Sequence, residues 1–134
     1  MATRSMTRVY DDRDNLLVAM YRHWDGYPTY WGKLLGEFIA SRRMVNGIGD
    51  DKDVFNGAYC LAASLVAQFK EGPGGIYLYP HKWADDDAEE FNYIVRAQGD
   101  NTVTIQVLDW EGRALCDPMP ATAFVEFAAS WEDQ

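Results

Sequence analysis

The sequence has little cysteine and no apolar run long enough to cross a membrane. Cys60 and Cys116 are its two cysteines, too few and too far apart for a disulfide framework. No apolar stretch approaches the roughly 20 residues of a transmembrane helix, and residues 1–5 lack the apolar stretch of a signal peptide. We therefore expect no membrane segment and a cytoplasmic location, where thiols stay reduced.

Metal and phosphate motifs are also missing. The chain has two histidines and two cysteines, without the paired spacing of a zinc site. The acidic runs at 50–53 and 85–90 lack the alternating ligands and central glycine of a calcium loop. The glycine-rich segment 72–75 precedes a predicted strand instead of opening a helix, so it is not a phosphate loop. We expect neither a metal nor a cofactor.

A nucleophilic site has one weak candidate set. Cys60, His23 and Asp25 are the residues from which a cysteine, a base and an acid could be assembled. Catalysis requires an exposed thiolate with its base in hydrogen-bond reach. Cys60 lies instead in the most apolar predicted helix, where a free cysteine behaves as a small hydrophobe. We expect an inert cysteine and no enzymatic activity.

Positive charge is scarce in the second half of the chain. Residues 1–67 carry eight acids and eight bases, whereas residues 68–134 carry thirteen acids and four bases and account for the net charge of −9. A protein that binds nucleic acid directly needs a basic stripe, and none is visible. The acidic half would attract basic protein surfaces; the alternative is that it only keeps the protein soluble.

What the sequence does contain is a periodic pattern and many aromatics. Its 134 residues suit a single domain over 1–134, and its five Trp, eight Tyr and six Phe can form a core. Strands are predicted at 6–10, 16–22, 76–79, 91–97, 102–108 and 113–116, and helices at 30–43, 58–70 and 121–131, with a loop at 46–56. This order favours an α+β fold, with a mainly antiparallel sheet of about five to six strands packed with about three helices.

Two helix predictions carry more detail. Thr29 is a candidate N-cap for the first helix, and Asn56 for the second. The second helix is apolar nearly all round, which is typical of a helix buried on most sides. Arg42 and Arg43 would close the first helix at the negative end of its dipole.

The segment 22–28 reads RHWDGYP and joins a predicted strand to a helix N-terminus. Free backbone N–H groups there can meet an anion, and flat rings can stack on a base, so a small nucleotide-like ligand is one interpretation. The other is structural: the acid caps the turn or pairs with the arginine, while the aromatic rings close the end of the core. The candidate ligand-binding residues are Arg22, His23, Trp24, Asp25 and Tyr27.

This segment is also where the sequence resembles a known group. Residues 3–5 read TRS and residues 21–28 read YRHWDGYP, a combination similar to small phage and prophage proteins that open with TRS and continue after a hairpin with YxHWDGYP into a helix. Further likeness to one branch of that group extends to about residue 97. The resemblance implies a mobile-element origin and no particular chemistry.

A second likeness is to plasmid antirestriction proteins of the KlcA and ArdB kind. These carry an NGGY segment followed by GGFYMxP, and here residues 55–59 read FNGAY and residues 74–80 read GGIYLYP. Small acidic proteins of mobile elements often block a protein of host defence. The expectation is therefore an anti-defence inhibitor, of the anti-CRISPR or antirestriction type, that binds a host defence complex.

The expected partner-binding residues belong to the acidic run, because charged groups at an interface rim steer association. They are Asp85, Asp86, Asp87, Glu89 and Glu90. Direct nucleic-acid binding is not expected, although folding could still gather the bases of the first half onto one face. Those bases are Arg4, Arg8, Arg22, Lys33, Arg42 and Arg43.

Overall fold

Two hairpins lie side by side in one sheet of the computed structural model, which describes residues 2–47, 49, 52–80 and 89–132. The strands are β1 (Ser5–Tyr10), β2 (Leu16–Arg22), β3 (Arg43–Val45), β4 (Val54–Asn56), β5 (Ile76–Leu78), β6 (Phe91–Ala97), β7 (Val103–Asp109) and β8 (Met119–Pro120). The helices are α1 (Lys33–Ala40), α2 (Gly57–Phe69) and α3 (Ala121–Ser130), and a π-helical turn, Pro28–Gly32, precedes α1.

The main sheet has six strands in the order β5-β2-β1-β6-β7-β8. Strands β1 and β6 pair in parallel, which joins the two hairpins, and every other pair in this sheet is antiparallel. The predicted α+β class with a mainly antiparallel sheet is confirmed. A separate two-stranded sheet pairs β3 with β4 in parallel.

The core lies between one face of the main sheet and the helices. Alternate strand residues point to this face, so Val9, Met20 and Val95 pack with Leu35 of α1 and Phe124 of α3. The other face carries a smaller buried cluster around Met6 and Ala19. The helices thus cover one face of the sheet, and the alternation of side chains along each strand determines which strand residues point to that face.

Helices α1 and α3 approach each other closely through a glycine. A Cβ on Gly36 would lie 2.9 Å from Cγ2 of Val125, so this position has no room for a larger residue. Trp31, in the turn that precedes α1, is fully buried. Its indole N–H donates to the Thr7 hydroxyl at 2.9 Å, and its ring meets Phe69 edge-on at 4.7 Å.

The first helix differs from the prediction at both ends. The helical segment begins with the π-helical turn at Pro28. Proline suits a first helical position, because the N–H group that it lacks would have no partner within the helix there. Tyr27, rather than Thr29, occupies the N-cap. Helix α1 ends at Ala40, so the two predicted closing arginines lie beyond it. Arg43 begins β3, because the chain turns extended to pair with β4.

The predicted loop at 46–56 and the helix after it also need correction. Residues 54–56 form β4 instead of loop. Asn56 occupies the predicted N-cap position of α2, but its side chain makes no capping hydrogen bond, and its Oδ1 accepts the Gly47 N–H at 2.9 Å instead. Helix α2 buries only one side and leaves Tyr59 and Ala63 exposed. A helix that packs on one face of a sheet contacts that face along a single stripe, and single apolar side chains are common on protein surfaces.

The C-terminal part matches the predicted hairpin and helix within about one residue. The predicted strand at 113–116 is reduced to one bridge between Ala114 and Leu108, and the short strand that pairs with β7 is Met119–Pro120. Among the described residues, no helix has the length and apolar character needed to cross a membrane.

Candidate functional site

The loop at 22–28 is tied to the N-terminal segment of the chain. The Gly26 N–H donates to the Thr3 carbonyl at 2.9 Å, and a Cβ on Gly26 would lie 2.6 Å from the Ser5 side chain. The buried hydroxyl of Tyr93 donates to the Gly26 carbonyl at 2.7 Å. The two parts of the TRS and HWDGYP signature therefore touch, and their joint presence has a structural reason.

Arg22 is engaged inside its own chain. Its guanidinium carbon lies 4.8 Å from the Trp31 ring centroid and 5.6 Å from that of Tyr30. Its Nε donates to the Trp24 carbonyl at 2.7 Å. This backbone bond takes the place of the pair with Asp25 that was one interpretation of the sequence. Asp25 is exposed and holds the turn with a positive φ of 56°.

Trp24 does not close the core, because 55% of its surface is exposed. Strand β2 ends at Arg22, and the ring lies past it, edge-on to His23 with centroids 4.8 Å apart. His23 Nδ1 shares a hydrogen bond of 2.8 Å with the Tyr21 hydroxyl, whose pKa is raised by burial. The structural interpretation is wrong for Trp24, and the buried tryptophan of this region is Trp31.

The five candidate ligand residues do not converge on one cavity. Arg22 and Trp24 line a cleft of about 130 Å³ beside Gly75, smaller than the roughly 300–1,000 Å³ of typical small-molecule sites. Tyr27 is half-buried and lines a different cleft, together with Glu90. The loop thus divides its side chains between two places.

The acidic run is only partly described. Asp85, Asp86 and Asp87 lie outside the described residues. Glu89 anchors the start of β6, since its N–H donates to Asn92 Oδ1 at 3.2 Å and its carbonyl accepts from Asn92 Nδ2 at 2.8 Å. Glu90 is exposed and lines the same cleft as Tyr27.

The cleft lined by Tyr27 and Glu90 adjoins a second, larger aromatic concavity. We call the two together the Phe91–Trp131 cleft; its main part, of about 800 Å³, lies where β6 begins and where β7 and α3 end. An adjoining part of about 350 Å³ shares Glu90 and the two naming residues. The main part is lined by Glu90, Phe91, Asp109, Trp110, Ala114, Leu115, Phe127, Ser130, Trp131 and Glu132, and the adjoining part adds Thr3, Tyr27 and Thr29.

Three elements position the rings of this cleft. Phe91 starts β6 and Trp131 follows α3, and their rings meet edge-on with centroids 5.2 Å apart. Phe127 lies four residues earlier on α3, on the same helix face. Trp110 follows β7 and is 67% exposed. The floor of the cleft is therefore fixed by sheet and helix, while one wall is an exposed indole.

The charges at the cleft are of one sign. Glu90, Asp109 and Glu132 belong to its lining, and no described lining residue of either part is Lys, Arg or His. Asp109 also holds the turn after β7, since its Oδ1 accepts the N–H groups of Glu111 and Arg113, each at 2.9 Å. The turn thus fixes one carboxylate at the rim.

A polar cleft of about 360 Å³ lies at the opposite end of the sheet and includes Asp11. This carboxylate is engaged in its own turn: it accepts the N–H groups of Arg13 and Asn15 and the side-chain amide of Asn15 at 2.9–3.0 Å. The amide of Asn15 is the main cause that lowers the pKa of Asp11. The described residues contain no group of three side chains suited to a metal ion.

Sequence reasoning missed most of the cleft. The apolar pattern predicts Phe91 as a core residue of a strand, and Phe127 and Trp131 as core residues of a helix. In the structure all three are only partly buried, which the pattern does not reveal. Trp110 gave a usable signal, because a tryptophan directly before the Glu111-Gly112 turn has no buried face to occupy. Comparison of the chain with family models, with curated proteins and with solved structures finds no match.

Proposed function

We propose that this chain is an anti-defence protein of a phage or another mobile element, which inhibits a host defence complex by binding it stoichiometrically. The observation that carries the proposal is the Phe91–Trp131 cleft, where an exposed tryptophan, half-buried aromatic rings and carboxylates lie together without a basic side chain among the described lining residues. The mobile-element origin rests on the resemblance of residues 3–5 and 21–28.

The chemistry of the expected target supports this role. Complexes that restrict foreign DNA hold nucleic acid through basic surfaces. An acidic surface is complementary to such a surface, and it gives both specificity and fast association. The few residues that dominate binding energy at protein interfaces are enriched in tryptophan, tyrosine and arginine. The cleft combines the two, in the half of the chain that carries the whole charge excess.

The side chains at the cleft favour binding over catalysis as its role. Its one hydroxyl outside the adjoining part, that of Ser130, donates to the Glu126 carbonyl at 3.0 Å and so is directed to its own helix. An activated nucleophile needs a base within hydrogen-bond reach, and the described lining of the main part offers Ser130 no imidazole or amine. The alternative role, binding a nucleotide-like ligand through residues 22–28, has less support because Arg22 and Trp24 line one small cleft and Tyr27 lines another.

The proposal is tested in cells. The chain is expressed in strains that carry a type I restriction system or a CRISPR–Cas system, and the plating efficiency of a targeted phage is measured against an empty vector. We expect plating to recover on at least one strain and to remain unchanged on a strain that lacks the system. Light scattering of the purified complex then gives its stoichiometry. Failure to restore plating on any such strain, with no complex recovered from them, contradicts the proposal.

A further inference from the structure

We propose that the Phe91–Trp131 cleft binds an arginine-containing segment of the partner protein, with a guanidinium group stacked against Trp110 or Trp131 and paired with the rim carboxylates. This inference rests on the proposed function and specifies the chemistry of its contact. It stands on the shape of the cleft, on the aromatic faces in it and on the sign of its charges.

The first argument is how the chain treats its other aromatic rings. Arg22 lies over Trp31, Arg42 over Phe38 at 5.1 Å, and Arg96 over Tyr10 at 4.7 Å. A guanidinium group over an aromatic face is a favourable contact. In the described part of the chain, no Lys or Arg covers Trp110 or Trp131. Among the described residues, the rings of the cleft therefore have no cation stacked on them.

The second argument is the placement of the carboxylates. Asp109 pairs in register with Phe91 across β6 and β7, and Glu132 follows Trp131 directly, so each lies next to a ring of the cleft. A guanidinium can stack on a ring and donate two parallel hydrogen bonds to a carboxylate at the same time. An ammonium group lacks the planar face for this, which favours arginine over lysine.

The third argument separates a protein segment from a small cation. The two parts of the cleft, of about 800 and 350 Å³, share Glu90, Phe91 and Trp131, and their lining extends from Trp110 to Tyr27. An extended peptide can place successive side chains in such parts, whereas a single small cation fills neither. The exposed indole of Trp110 is typical of a ring that becomes buried when a partner docks.

The test uses the purified full chain and a blocked peptide, Gly-Arg-Gly-Arg-Gly. The matched probe replaces both arginines by citrulline, which keeps the shape and removes the charge. Binding is followed through the indole N–H signals of the ¹⁵N-labelled protein. We expect saturable shifts of the Trp110 and Trp131 signals with the arginine peptide, an affinity that falls as salt is raised, and about tenfold weaker binding of the citrulline peptide. Equal shifts with both peptides, or no saturation with the arginine peptide, overturn the inference.

Variants then locate the contact. Trp110→Ala removes a ring that is largely exposed, so we expect the fold to persist and peptide binding to weaken about tenfold. Glu90→Gln should weaken binding severalfold. The matched controls are Trp24→Ala and Glu71→Gln, which change an exposed tryptophan and an exposed acid at the cleft that Arg22 already lines. If these controls weaken binding as much as the cleft variants do, the inference is wrong.

The outcomes also separate this inference from the proposed function. Recovery of phage plating by the Trp110→Ala and Glu90→Gln variants to the level of the unchanged chain would overturn the cleft and leave the anti-defence role standing. Specific peptide binding in a chain that restores plating on no strain would support the cleft and contradict the anti-defence role.

Discussion

The loop at 22–28 and the Phe91–Trp131 cleft are both rich in aromatic side chains, yet the chain treats them differently. In the loop, Arg22 covers the Trp31 ring, and Gly26 is bonded to the N-terminal segment and to Tyr93. In the cleft, the described residues supply carboxylates and no cation. The difference shows that an aromatic-rich sequence motif can serve to hold segments of the fold together. Binding capacity is expected instead where aromatic rings and charges lack partners among the described residues. Changes at the buried contacts of the loop, which are Gly26 and the Trp31 ring under Arg22, should therefore reduce stability, and changes in the cleft should reduce binding.

The largest effect is expected at Trp31. Trp31→Ala removes a fully buried ring and leaves the Thr7 hydroxyl without its indole partner, so it should lower the free energy of unfolding by about 3–5 kcal/mol. Chemical denaturation followed by circular dichroism measures this. Trp24→Ala is the control, because its exposed ring should cost about 1 kcal/mol or less. An equal loss in both variants would mean that the two tryptophans contribute alike and would break the comparison.

Gly26→Ala should come next. The added Cβ meets the Ser5 side chain at 2.6 Å, so the joint has to move, and such overpacking costs about 1–3 kcal/mol. Thermal melts measure the loss. Ser5→Gly removes the Ser5 side-chain atoms that the added Cβ would meet. The double variant should therefore lose less stability than the sum of the losses in Gly26→Ala and Ser5→Gly. Strict additivity of the two changes would show that this contact does not constrain the loop.

The Asp11 carboxylate, at the opposite end of the sheet from the cleft, should make stability depend on pH. Hydrogen bonds from Asn15 and Arg13 lower the pKa of Asp11 in the folded state below its ordinary value of 3.8, so the charged form stabilises the fold above that value. This contribution is lost as the pH falls through the lowered pKa. The melting temperature of the unchanged chain should therefore exceed that of Asp11→Asn near neutral pH, and the gap should narrow below about pH 4. Asp12→Asn is the control, and a gap that is independent of pH contradicts the assignment.

Neutralising the acidic run should change stability little and should clearly slow association with the partner. Neutralising Asp85, Asp86, Asp87, Glu89 and Glu90 to Asn or Gln should slow association with the partner and flatten its salt dependence, because rim charges act mainly on the association rate. Stopped-flow mixing with the purified partner measures both. Glu126→Gln, an exposed change on α3, is the control for net charge. Unchanged association rates would remove the acidic run from the interface.

The smallest signal is expected with nucleic acid. The bases of the first half do not gather on one face of the sheet: Arg8 lies beside Ala19, on the face opposite to Arg22. Fluorescence anisotropy with labelled DNA and RNA at about 150 mM salt should show no saturable binding, since too few phosphate contacts can form. Saturable binding at low-micromolar protein would contradict this and the charge argument for an inhibitor.

Several elements were predictable because local chemistry specifies them. Strand-like runs separated by polar turns predicted both hairpins, with clear alternation in residues 102–108. The glycines of 72–75, with positive φ at Gly72, Gly74 and Gly75, predicted the end of α2. Strand β4 was missed because three residues carry little periodic signal, and its pairing partner β3 lies at the end of a predicted helix. The helix–helix contact at Gly36 was missed because a close approach leaves no mark on the glycine itself.

The sequence by itself determined the α+β class, the two hairpins, the helical segments and the concentration of negative charge in the second half, since these follow from periodicity, turn residues and composition. Tertiary structure alone decided that Trp31 is buried and Trp24 exposed, that Arg22 covers a ring of its own chain, and that Phe91, Trp110 and Trp131 share one acidic cleft. The reason is physical: exposure and charge pairing depend on which distant segments meet, and the parallel pairing of β1 with β6 brings together residues more than 80 positions apart.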